Sequence, residues 1–230
     1  MEWTEGIMME TRNVSRCFPM PDGEDFYALR DINIGIPAHR LTILRGRSGS
    51  GKTTLMNILG ALDKPSTGQL LFDGEDITGW NEDQCSLMRR EKVGFVFQSV
   101  ALIPMMTAYE NVEYALRLSG YEGNRQERVE ECLKMVGLSA RMHHMPEEMS
   151  GGEQQRVAIA RAIAHRPKVL FADEPTAELD TNTGLQVVKI FKTLVEQDGA
   201  TIVMTTHDVG LMEIGDKVFE LEDGEIISER

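Results

Sequence analysis

The chain has 230 residues, 41% of them hydrophobic, which is enough for one substantial core and points to a single domain. Its formal net charge of -13 excludes broad electrostatic binding to nucleic acid or to an anionic lipid surface, because both require a basic face. Three scattered cysteines, Cys17, Cys85 and Cys132, form no CxxC pair and read as reduced structural thiols.

Met8 to Phe18 and Ala28 to Ile36 read as early strands of an antiparallel lobe, with Asp22-Gly23 as the turn between them. Leu41 to Leu44 is a short apolar run that enters a glycine-rich loop and then a helix from Lys52 to about Leu62. Gly68 to Phe72 and Val93 to Phe97 follow as strands. Helical spacing over Tyr109 to Ser119 and Arg125 to Val136, the second stopped by Gly137, makes residues 99–150 a helical insert. Strand character returns at Val169 to Ala172, Thr201 to Thr205 and Lys217 to Leu221, around a helix from about Thr183 to Glu196. Alternating β and α units imply a parallel sheet, so the expected fold is α/β: residues 1–98 and 151–230 as core and β lobe, 99–150 as helical subdomain. No run approaches the roughly 18 apolar residues of a membrane span. Met1 to Glu5 lack the basic start of a signal peptide. A cytoplasmic chain without direct membrane insertion is therefore expected.

Gly46-Arg47-Ser48-Gly49-Ser50-Gly51-Lys52-Thr53 matches the phosphate-loop pattern G-x-x-x-x-G-K-[ST], between the strand and the helix it requires. Glycines let successive amides converge on phosphate oxygens, the helix start adds a partial positive charge, Lys52 neutralises oxygens and Thr53 can ligate Mg²⁺. These eight residues and the adjoining Thr54 are the candidate nucleotide contacts. Val169 to Ala172 delivers Asp173 and Glu174 at a strand end, where ligands bind in an open α/β sheet. Asp173 would hold Mg²⁺ and Glu174 would polarise the attacking water. Spacing also puts His207, after the Thr201 to Thr205 strand, at that edge. Ser150-Gly151-Gly152-Glu153 adds a second anion-binding helix start, built as a capping box in which Ser150 and Glu153 exchange hydrogen bonds.

Together the phosphate loop, Gln98, Ser150-Gly151-Gly152, Asp173-Glu174, Ala177-Glu178-Leu179-Asp180 and Thr206-His207-Asp208 resemble an ATP-binding cassette (ABC) ATPase over nearly the whole chain. The resemblance implies a phosphate-loop NTPase fold with a RecA-like parallel core. It implies catalytic roles for Glu174, for Gln98, which also ligates Mg²⁺, and for His207 on the γ-phosphate, with Asp180 communicating across a dimer. Ser150 to Glu153 would meet the γ-phosphate bound to a second subunit, so that a homodimer sandwiches two ATP molecules. The family more often has glutamine where Glu153 stands. Glutamate keeps the cap but adds a carboxylate near the phosphates. An aromatic of the β lobe would stack on adenine: Phe18, with Tyr27 as the alternative.

Leu55 to Gly60, Leu62 to Pro65, Phe95 to Gln98 and Thr107 to Val112 look like the MacB/LolD-type branch, which serves lipoprotein release, macrolide export and antimicrobial-peptide resistance. That likeness implies a separate integral-membrane permease with a large extracytoplasmic domain, and a peripheral place on the cytoplasmic face of the membrane. Leu102, Ile103, Met105 and Met106 lie where a permease helix would dock, or else pack the helical insert. A non-transporting cassette like the cell-division relative is the alternative function. A guanine-nucleotide switch is disfavoured, since no Asn-Lys-x-Asp element occurs.

Overall fold

The computed structural model describes residues 6–21 and 23–230, so Asp22 of the expected turn and the start Met1 to Glu5 lie outside the described residues. Two long strands, β1 (Ile7–Pro19) and β2 (Asp25–Pro37), pair antiparallel. After β3 (Leu41–Arg45) come α1 (Lys52–Leu59), β4 (Thr67–Phe72), β5 (Glu75–Asp76), α2 (Glu82–Lys92) and β6 (Val93–Val96). The helical stretch holds α3 (Ala108–Leu118) and α4 (Arg125–Met135), followed by α5 (Gly151–Ile163). The chain closes with β7 (Val169–Ala172), α6 (Thr181–Asp198), β8 (Thr201–Thr206), β9 (Lys217–Glu222) and β10 (Glu225–Glu229).

These strands form two sheets. One is antiparallel, in the order β2-β1-β4-β5; the other has the order β10-β9-β3-β8-β7-β6 and is parallel except for the β9/β10 hairpin. Strand β10 closes that edge through the Asp223-Gly224 turn.

The parallel strands are apolar on both faces because both are covered. Ile43, Leu170, Ile202 and Met204 pack with α3 to α6. Leu44, Phe171, Val203 and Phe219 face α1 and the antiparallel sheet, beside Leu29, Ile32 and Ile34. The phosphate loop therefore sits between two buried layers that fix its ends.

Helices α1 and α2 depart from the sequence reading. Helix α1 stops at Leu59 instead of about Leu62, because the Phe95 ring occupies the space beside Gly60 and Ala61 turns to φ +53°. Helix α2 was not expected. It buries only Cys85 and Met88 and so lacks a full apolar stripe, although Asn81 and Gln84 give it a complete capping box.

Candidate functional site: a phosphate-loop cavity and a second capped helix

The loop from Gly46 to Gly51 leaves β3 and ends as the cap of α1. Gly51 has φ +102°, and a Cβ there would lie 2.7 Å from the Ala28 carbonyl, so only glycine fits this approach to β2. Lys52 is buried at 5% exposure; its Nζ donates to the carbonyls of Gly46 at 2.8 Å and Arg47 at 2.9 Å, and lies 3.8 Å from Glu174 Oε1. The ammonium thus stands at the centre of the cradle.

Strand β7 carries the acids to the same place. Asp173 takes the Thr53 hydroxyl at 3.2 and 3.3 Å and the Thr205 hydroxyl at 2.6 Å, while its own amide donates to the Val96 carbonyl at 2.8 Å. Glu174, held at φ +42°, donates its amide to Thr205 Oγ1 at 2.8 Å, and its carboxylate lies 3.1 Å from His207 Nδ1. A non-glycine residue at positive φ is strained backbone that its surroundings must hold in place. Thr205 does this here: one hydroxyl orders both acids.

A cavity of about 720 Å³ is lined by Arg47, Ser48, Gly49, Gly51, Lys52, Thr53, Thr54, Gln98, Asp173, Glu174 and His207, together with Phe26 and Ala28. The loop, both acids, Gln98 and His207 are therefore assembled by the fold from four separate stretches of sequence, and Phe26 and Ala28 of β2 add a fifth. Gly46 and Ser50 line an adjoining cavity on the β9/β10 side.

Phe18 does not line this cavity. It pairs across the hairpin with Phe26, its ring lies under the Arg16 guanidinium at 4.3 Å, and Phe26, 54% exposed on the strand next to the loop, reaches the cavity instead. Tyr27 likewise sits under Arg30, at 4.8 Å. Alternation and composition could not choose between cross-strand partners. What decides is that β2, not β1, runs past Gly51.

Ser150, Gly151, Gly152 and Glu153 are absent from the cavity lining. They form the start of α5, with the expected reciprocal cap: Ser150 Oγ accepts from the Glu153 amide at 3.3 Å and Glu153 Oε2 accepts from the Ser150 amide at 2.8 Å. The Ser150 amide, the Ser150 hydroxyl and Arg141 hold the Glu153 carboxyl below the usual carboxylate range, against its partial burial. A Cβ on Gly152 would come within 2.3 Å of Thr183 Cγ2 at the start of α6, which fixes this helix start against its neighbour. Asp180 caps α6 through the amides of Asn182 and Thr183, and the Thr183 hydroxyl, followed by the Thr183 amide, keeps its carboxyl low. Gln155, buried on α5, donates from Nε2 to the Pro175 carbonyl at 3.0 Å, tying α5 to the peptide after Glu174. The sequence assigns no individual role to Thr205, or to Gln155 within the run that follows Ser150; a polar residue inside an apolar strand, as Thr205 is, is the available signal.

This architecture defines a phosphate-loop nucleotide hydrolase with a second capped helix start outside the cavity lining. The family model for ABC transporters matches residues 29–177. An uncharacterised ABC transporter ATP-binding protein of Methanocaldococcus jannaschii, MJ0796, is 43% identical over 226 residues, covering 95% of each chain. The macrolide export ATP-binding/permease protein MacB of Bartonella henselae is 43% identical over 219 residues, which cover 94% of this chain and 33% of that protein. Among solved structures, the MJ0796 cassette in a dimeric post-hydrolysis state bound to ADP and Pi superposes with a TM-score of 0.89 at 41% identity, covering 97% and 98% of the two chains. The chain belongs to the ABC transporter family and is an ATP-binding, ATP-hydrolysing cassette.

Proposed function

We propose that this cassette is the motor of a membrane transporter: two copies clasp two Mg-ATP molecules head to tail and drive an integral-membrane permease of the MacB/LolD type with a large extracytoplasmic domain. The observation that carries the reading is the separation of the two anion-binding starts. The phosphate loop opens onto the cavity with Asp173 and Glu174, whereas the capped start of α5 lies outside its lining, free to complete another copy's site. The dimeric MJ0796 structures and the permease fused to MacB support the same arrangement.

Within each site the amides of the loop and Lys52 bind the triphosphate, with Phe26 rather than Phe18 against the base. Thr53 and Asp173, whose oxygens already lie 3.2 Å apart, are an all-oxygen donor pair suited to a hard divalent cation, with Gln98 on the same wall. Magnesium bound there would neutralise charge on the phosphate oxygens. Glu174 orients and polarises the attacking water, and His207, bonded to Glu174, faces the γ-phosphate. Asp180, at the start of α6, communicates across the dimer. Met105, 83% exposed beside Leu102 and Ile103, offers the permease an adaptable apolar contact, and the cassette would sit on the cytoplasmic face of the membrane through that permease.

Glu174→Gln removes the water-polarising carboxylate while keeping the fold, so saturating Mg-ATP should trap the dimer, visible by light scattering. A variant that binds ATP and remains monomeric refutes the clasp.

A further inference from the structure

The capped start of α5 carries a charge problem. A helix start that receives a phosphate gains from its free amides and partial positive charge, yet here the third residue of the turn is Glu153, a full negative charge where the family more often has a neutral amide. The structure holds a counter-charge in place. Glu153 divides its two oxygens: Oε2 accepts from the Ser150 amide at 2.8 Å and hydroxyl at 3.0 Å, and Oε1 accepts from Arg141 Nε at 3.2 Å. Arg141 ends a 3-10 turn, Ser139–Arg141, pinned by its amide on the Leu138 carbonyl and by the His144 amide on its own carbonyl. Its Nη1 lies 3.0 Å from His144 Nε2, so the fork is aimed from both sides. The other cation of this helix start, Arg156, is turned toward Gln186 of α6.

We infer that Arg141 is a positioning residue for the ATP clasp: it neutralises Glu153 and holds its carboxylate on the cap, so that the start of α5 can accept the γ-phosphate of a second copy. This rests on the head-to-tail reading above. Without Arg141 only the weaker influence of Arg156 is left to offset the Glu153 charge that each closing surface presents to a triphosphate, and like charges brought together across an interface oppose association. The pair is partly exposed, at 46% for Arg141 and 20% for Glu153, so water screens it and the effect is moderate.

The test uses the Glu174→Gln protein as parent and measures the Mg-ATP dimer dissociation constant by analytical ultracentrifugation. Arg141→Ala should weaken dimerisation about tenfold at low salt, with ATP binding by the monomer unchanged. Adding Glu153→Gln to Arg141→Ala should return dimerisation to within about twofold of the parent. Arg141→Lys, which keeps the charge, should stay close to the parent. A purely structural Arg141 would leave the double variant as weak as Arg141→Ala, and that outcome overturns the inference. So does an Arg141→Ala protein that dimerises like its parent. A parent that stays monomeric overturns the clasp, and this inference with it; a dimerising parent indifferent to Arg141→Ala overturns the inference alone.

Discussion

Thr205→Val tests whether a single buried hydroxyl organises the two acids of the candidate site, Asp173 and Glu174. The residue is 0% exposed, and its Oγ1 donates to Asp173 at 2.6 Å and accepts from the Glu174 amide at 2.8 Å. Valine has nearly the same shape, so the change removes hydrogen bonds and creates no cavity. A bond to a charged group contributes roughly 1.5–3 kcal/mol and a neutral one roughly 0.5–1.5, so losing both should destabilise by about 2–4 kcal/mol. At about 2–4 °C per kcal/mol for a chain of this length, the melting temperature should fall by about 5–15 °C. Glu174, no longer fixed in its positive-φ conformation, shifts from its working position. A displacement on the order of 1 Å should lower kcat by about 100-fold. Thr205→Ser keeps the hydroxyl and gives up one methyl, which costs about 1 kcal/mol, with kcat within about twofold. Calorimetry and steady-state phosphate release read the two quantities. Equal kcat in the valine and serine variants would refute the assignment.

Phe26→Ala should raise the KM for ATP about tenfold through lost ring stacking, while Phe18→Ala changes it less than twofold; the opposite order would return the adenine contact to Phe18. In acid, stability should fall through the helix caps. Glu153 and Asp180 have carboxyls held below their ordinary values in the fold, first by the Ser150 amide and the Thr183 hydroxyl respectively. The unfolded chain therefore takes up protons first: the stabilisation is complete above about pH 4 and is lost as pH falls through the lower folded values. Urea midpoints measured from pH 6 down to 3 should fall less steeply for Asp180→Asn than for the natural chain, and parallel curves would count against the cap.

What the sequence made legible was whatever is local. The loop from Gly46 to Thr53, the acids at the end of β7 and the Ser150/Glu153 cap each depend on a few neighbouring residues, and each lies where its spacing placed it. Contacts that join distant segments were not legible. Thr205 meets Asp173 across two paired strands, and Phe26 rather than Phe18 lines the cavity because β2 passes Gly51. Helix α2 escaped notice for a different reason: most of its surface is solvated, with Leu87 exposed, so its periodicity is weak and only its cap announces it. The pairing of Arg141 with Glu153 spans a 3-10 turn and a helix start, and no spacing rule links them.

Lys52 rests on the carbonyls of its own loop. The ammonium thereby ties the first two residues of the loop to the residue that starts α1, beside Glu174 Oε1 at 3.8 Å. A loop cross-linked to its own side chain has already given up part of its conformational freedom, which lowers the ordering cost of any contact made to it.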